Sequence, residues 1–184
     1  MTAETSVLPS LPQRSGMLPD PGIYRAEPSR CILELSTSLG LLTTLRGRFA
    51  VLDSSFVIDA DETRSRLAVE ASAVSLRTTR PMAARHLIGQ RGLAVRQHRT
   101  IRFVSTGFEI SEPGTLSIPG ELHLRDEAVP LTLRTRVVGQ GRNRLLVIGT
   151  AQLAYSLLRE TCLFRLPRSI PAGRVRLLLA ADFR

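Results

Sequence analysis

The chain has 184 residues, the length of one domain, and is long enough to bury a complete core. Its formal net charge is +9 and all 25 basic residues are arginine, while aromatics make up only 4% and tryptophan is absent. That composition excludes a stacking platform for nucleic-acid bases, and no apolar run reaches the length of a membrane-spanning helix. The positive charge raises an anionic surface or nucleic acid as a partner. The arginines nevertheless fall at alternating strand positions instead of in a cluster, so nucleic acid is not expected and any binding to it should be non-specific. Cys31 and Cys162 lie far apart and match no metal spacing; both are expected to be unpaired, reduced thiols in a cytoplasmic protein.

Residues 1–20 are polar, are broken by Pro9, Pro12 and Pro19, and read as a flexible leader; residues 21–184 read as one domain. A first strand is expected over residues 31–35, where Cys31, Leu33 and Leu35 alternate with Ile32 and Glu34. Residues 39–45 suggest a helical turn, followed by strands over 48–52 and 55–59. The acidic group Asp59, Asp61 and Glu62 offers too few oxygen ligands for calcium and reads as a solvated turn. Residues 66–72 alternate again, with Leu67, Val69 and Ala71 inward. Pro81 then opens a short helix over 81–94, interrupted by Gly89 and Gly92. A strand is expected over 100–110.

Residues 114–138 carry the clearest pattern. Leu116, Ile118, Leu122 and Leu124 share one parity, and Val129, Leu131 and Leu133 repeat it after the short link of residues 125–128. A period of two on both sides of a short link predicts an antiparallel hairpin. Gly120 suggests a bend or bulge that would let the sheet curl. Residues 139–144, with Gly139 and Gly141, read as a turn, not as a dinucleotide loop, because the third glycine and the following helix are missing. Strands over 145–155 and 175–183 complete a set of eight or nine. Such an all-β, mostly antiparallel set closes into a barrel or splits into a sandwich, and a barrel of about eight strands has room for packed side chains or one small ligand.

Several motifs, in order and without gaps, resemble the YceI-like family of polyisoprenoid-binding, lipocalin-like barrels. Y-R-A-E-P-S-R-C-I-L-E-L from Tyr24 resembles the family's opening aromatic-x-x-Asp-Pro-x-His-Ser-x-Val-x-Phe. S-L-G-L-L-T-T-L-R-G-R-F from Ser38 follows its His-Leu-Gly segment, His86-Leu87 its helical His-Leu, and T-I-R-F-V-S-T from Thr100 its Pro-x-Ile-x-Phe-x-Ser strand. G-E-L-H-L-R with Pro130 to Leu133 is similar to its central hairpin. The family's His-Ser pair is Arg30-Cys31 here, and its Arg-Asp is Ala83-Ala84. The resemblance implies an antiparallel lipocalin-like β-barrel whose interior holds an extended apolar chain, an isoprenoid or other long-chain lipid.

No catalytic constellation competes with that reading. There is no G-x-S-x-G, the cysteines sit in apolar strand surroundings, and Glu34 has no second carboxylate at a recognisable spacing. His86, His98 and His123 show no helical ligand spacing and His123 has outward parity, so neither a metal nor a cofactor is expected. The inward aliphatic set is Leu33, Leu35, Phe49, Val51, Leu67, Val69, Phe103, Ile118, Leu122, Leu131, Leu133 and Leu177. With the resemblance, the expected ligand-binding residues are Leu33, Leu35, Phe49, Val69, Leu87, Phe103, Ile118, Leu122, Leu131 and Leu133. Two other readings stay open: a ligand-free scaffold that forms a homodimer, and a basic module for anionic surfaces or nucleic acid.

Overall fold

The computed structural model describes residues 20–112, 115–141 and 143–184; the leader expected over 1–20 lies outside them except for Asp20. Nine strands are present: β1 (Gly22–Leu39), β2 (Leu42–Ile58), β3 (Arg66–Thr78), β4 (Thr100–Ser105), β5 (Glu109–Glu112), β6 (Thr115–Leu124), β7 (Glu127–Gly141), β8 (Arg144–Ala154) and β9 (Arg174–Phe183). Two short helices, α1 (Pro81–Ile88) and α2 (Tyr155–Thr161), follow β3 and β8. The sheet runs β4-β3-β2-β1-β9-β8-β7-β6-β5, and β4 also pairs with β6. That last pairing closes eight strands into an antiparallel barrel and leaves β5 as an extra strand on β6. Of the barrel and the sandwich that the alternation allowed, the fold is the barrel that the resemblance implied.

The barrel is built from longer strands than their apolar runs suggest. Residues 39–45 form no helical turn. Leu39 pairs with Leu42 across a tight turn, in which Gly40 takes a φ of +58° that other residues rarely adopt. The two strands expected over 48–52 and 55–59 are one, β2. A register shift against β3 between Val51 and Asp53 flips the inward parity, so a single long strand reads as two. Residues 100–110 divide instead into β4 and β5 around Gly107. The acidic group forms a single 3₁₀ turn, where the Asp61 carboxylate accepts from the Thr63 amide at 3.1 Å and hydroxyl at 2.7 Å. The turn expected over 139–144 is shorter than expected, since β7 runs to Gly141 and β8 starts at Arg144.

The hairpin of β6 and β7 is antiparallel as expected, with Ile118 opposite Leu133 and Leu122 opposite Val129. Its link is two residues, Arg125 and Asp126, both at positive φ (55° and 65°), as a tight right-twisted hairpin demands. Gly120 is not a bulge, because the register from β6 to β7 runs through it unbroken. It is a close-approach position: a Cβ there would lie 2.4 Å from the Val104 carbonyl oxygen and 2.7 Å from the Phe103 ring. It is also the first β6 residue paired with β4, so β6 changes neighbour just before it from β5 to β4.

The two ends of the barrel differ. At one end Phe56, Phe108 and Phe183 form a plug, with ring centroids 5.0 Å apart for Phe56 and Phe108 and 5.7 Å for Phe56 and Phe183. Fully buried Leu67, Leu116, Ile118 and Leu145 pack in the same core. At the other end lie the turn between β1 and β2, the hairpin link, and both helices with the loops that follow them. The helix expected over 81–94 stops at Ile88 before Gly89, and turns carry the chain on to β4. α2 was not foreseen; the strand expected over 145–155 stops at Ala154. The loops after the two helices are joined to each other and to the hairpin. The Arg165 amide donates to the Arg91 carbonyl (2.8 Å), and Arg125 Nη1 donates to the carbonyls of Gly92 (3.1 Å) and Leu163 (2.9 Å).

Candidate ligand-binding cavity

Between the aromatic plug and the helical cap lies an apolar cavity. Inward parity brings Leu33 and Leu35 from β1, Phe49 from β2, Val69 from β3 and Phe103 with Ile101 from β4 to its wall. Leu122 and Leu124 of β6, Leu131 and Leu133 of β7, Leu153 of β8, and Val175, Leu177 and Leu179 of β9 complete the ring. Leu93, Leu158 and Phe164 close it from the cap. Every lining side chain is aliphatic or phenylalanine, and eleven of the seventeen are leucine.

Two glycines shape the cavity wall. Gly149 sits on the inward parity of β8 opposite Leu179, and a Cβ there would lie 2.8 Å from Leu133, so Leu133 reaches across β8. Gly47 faces Leu35 across β1 and β2, and Leu76 fills its place, its Cδ1 lying 2.8 Å from where a Cβ would be. Leu33, Leu35 and Leu177 remain only half-buried although they point inward. The free volume is about 60 Å³, and the cavity is partly open to the surface. A dry cavity of about 150 Å³ is what admits a benzene-sized molecule. As it stands the space is a seam between side chains, not a vacant tunnel.

Eight of the expected ligand-binding residues therefore line one cavity: Leu33, Leu35, Phe49, Val69, Phe103, Leu122, Leu131 and Leu133. Leu87 and Ile118 do not. Leu87 is buried in α1, where its carbonyl accepts from the Leu93 amide, and Ile118 is fully buried in the packed core. Strand alternation missed Leu93, Leu158 and Phe164, since they come from the cap. The signal for Leu158 was present in Tyr155–Thr161, a run of helix formers that places Leu158 inward.

The lining holds no acid, base or nucleophile, so the cavity itself offers contact and exclusion of water but no bond chemistry. The Cys31 thiol shares the inward parity of β1 but is not reactive: burial, reinforced by the Asp182 carboxylate, pushes it up to about 11. Burial and Glu127 also push the Cys162 thiol up. Both cysteines are free. Asp182, on the outer face of β9, is clasped by Arg144 (Nε to Oδ1 2.8 Å, Nη2 to Oδ2 3.0 Å), Arg30 (3.2 Å) and Arg184 (3.4 Å). The hydrogen bonds from Arg144 above all hold its carboxyl down at about 2. This network ties β1, β8 and β9 together from outside and does not touch the cavity.

The histidines stay apart from it as well. His98 Nδ1 meets Asp126 Oδ2 at 3.1 Å and His123 Nε2 meets Glu121 Oε2 at 3.6 Å, both at the surface of β6 and its link. Among the described residues no three His, Cys, Asp or Glu side chains gather as a metal site would require. No helix among them is long and apolar enough to cross a membrane.

Comparison with known proteins agrees with this geometry. The family model described as YceI-like domain matches residues 24–162. A UPF0312 protein of Ectopseudomonas mendocina is 28% identical over 100 residues, which are 54% of this chain and 52% of the relative. The chain thus spans about half the length of the curated relatives it matches. Among solved structures, BcnA of Burkholderia cenocepacia superposes with a TM-score of 0.72 at 15% identity, over 85% of this chain and 98% of that one. A polyisoprenoid binding domain from Saccharophagus degradans gives 0.60 at 12% identity, over 88% and 97%. At these identities the likeness is one of fold. The matched region stops short of β9, which closes the barrel here by pairing with both β1 and β8.

Proposed function

Because this chain belongs to the YceI-like domain family, we propose that it is a non-catalytic carrier whose cavity takes up the apolar chain of an isoprenoid or other long-chain lipid. The observation that carries the reading is the wholly apolar, leucine-rich lining between plug and cap. Leucine is not branched at Cβ and changes rotamer more freely than valine or isoleucine, so such a wall can part around a chain. A flexible chain burying its methylenes gains about 0.8 kcal/mol for each one removed from water, which offsets the displacement of side chains without any polar anchor. The free thiols support the cytoplasm as its place of work.

The cavity's free volume of about 60 Å³ favours a second reading, a barrel that carries nothing and serves as a scaffold. One experiment separates the two. Purified protein is titrated with a long-chain polyprenol while thermal unfolding and native mass are followed. A carrier shows a lipid-bound mass and a melting temperature that rises with ligand concentration, since ligand binds only the folded state. Leu122→Trp then fills the seam, and the variant should stay folded but lose the lipid-dependent shift. A parent that shows neither bound mass nor shift makes the barrel a scaffold.

A further inference from the structure

We infer that the turn between β1 and β2 is a membrane-docking tip that sets the capped end of the barrel against an anionic lipid surface. The inference goes beyond the carrier reading and does not depend on the cavity holding cargo. The tip is Leu39-Gly40-Leu41-Leu42, and its three leucines are 51%, 103% and 74% exposed. Large apolar side chains this exposed and this contiguous bury little against their own fold and call for a partner. Met82, 76% exposed at the start of α1, lies at the same end. The placement is fixed by backbone hydrogen bonds: the Thr79 amide donates to the Arg46 carbonyl at 3.0 Å, and the Gly173 amide to the Ser38 carbonyl at 2.8 Å. Those contacts bring Arg46, Arg80 and Arg174 around the base of the leucine tip.

On the segments beside that tip the charge is one-sided, and the acids of the capped end, Asp126 and Glu160, sit on the β6–β7 link and α2 instead. Residues 39–46, 79–99 and 162–174, which supply the tip, α1 with its loop and the segment leading into β9, contain nine arginines and no aspartate or glutamate. Arg46, Arg80 and Arg174 are exposed, and among the described residues none of them has a carboxylate partner. Exposed leucines ringed by unpaired arginines match the two layers of an anionic membrane, acyl chains below and phosphates above. A nucleic acid would use the arginines but leave the leucines in water. A second copy of the chain would cover the leucines but bring its own arginines against these.

The test uses the full chain and two vesicle populations, one rich in phosphatidylglycerol and one of phosphatidylcholine alone. The parent should cosediment with the anionic vesicles and weakly or not at all with the neutral ones. Leu41→Ser with Leu42→Ser leaves the charge unchanged and touches no buried group, so the melting temperature should hold. Its partition into anionic vesicles should fall by at least about tenfold, as the loss of two inserted leucines requires. Arg80→Ser with Arg174→Ser should remove the preference for anionic lipid. Three results overturn the proposal: a parent that ignores anionic vesicles, a serine variant that binds them as the parent does, or a parent dimer in solution that the serine variant dissolves. Binding that depends only on salt, and that DNA competes away equally in parent and serine variant, belongs to the second of these. The polyprenol titration needs no vesicles, so failure here leaves the carrier reading standing, and failure there leaves the tip standing.

Discussion

The plugged end and the capped end of this barrel answer the same alternation of strands with different side chains. Around Phe56 the inward positions carry rings and fully buried aliphatics, and rings in tilted and edge-on contact lock one another in place. Around Leu33, Leu35 and Leu177 the inward positions are mostly leucine and these three stay half-buried, so a seam remains between them. An eight-stranded barrel is just wide enough to be filled by its own side chains. Whether it is filled is therefore decided residue by residue, and here it is filled at one end only.

The largest test of that difference is a pair of truncations. Phe56→Ala removes the ring shared by both aromatic contacts and should cost about 3–5 kcal/mol in denaturant unfolding. Leu35→Ala removes a half-buried leucine beside existing free space and should cost about 1–2 kcal/mol. Equal losses at the two sites would mean that the capped end is packed as tightly as the plug.

This contrast was only partly legible in the sequence. The alternation of Leu116, Ile118, Leu122 and Leu124 specified a strand, its inward face and its hairpin partner, because a period of two has one structural meaning. Alternation does not tell where along a barrel an inward residue sits, and Ile118 and Leu122 share parity yet fall in the solid core and the cavity. Parity also fails where register shifts: the slip between Val51 and Asp53 made β2 look like two strands. The cap was the least legible part. Leu93 and Phe164 reach the cavity from loops held by backbone hydrogen bonds, and no periodicity marks such residues.

The outer face offers a test through pH. The Asp182 carboxyl is held at about 2 by its arginines, below the value of about 3.9 for an aspartate in an unfolded chain. A group depressed on folding contributes stability that is complete above the unfolded value and is lost as pH falls toward the folded one. The strap across β1, β8 and β9 should thus weaken between about pH 4 and pH 2. Asp182→Asn should be less stable than the parent at neutral pH, with the gap narrowing as the pH drops through that window. A gap that stays constant to pH 2 would show that the arginines clasp the carboxylate without stabilising the barrel. Either way the loss should be spread along the barrel and leave the contrast between its ends in place.

The smallest expected effect is the most local, and it asks whether the loose end is also the mobile one. Arg125 sits at positive φ in the β6–β7 link, and its guanidinium holds the carbonyls of Gly92 and Leu163, one from each loop of the cap. Arg125→Met keeps most of the stem but removes both hydrogen bonds. The contact to Leu163 is exposed and the one to Gly92 only part-buried, so global stability should fall by only about 1 kcal/mol. Amide exchange should respond more sharply, because opening of a cap depends on its own few contacts and not on the whole core. Amides of Leu93 and Phe164, which donate to the Leu87 and Leu158 carbonyls, should exchange faster in the variant. Those of Leu67 and Leu145, at the plug, should not change. If both sets quicken together, the cap and the plug open as one unit, and a ligand could not enter the seam without loosening the entire barrel. If only the cap quickens, Leu93, Leu158 and Phe164 form a door that moves on a fixed frame, and Arg125 is the latch that holds it.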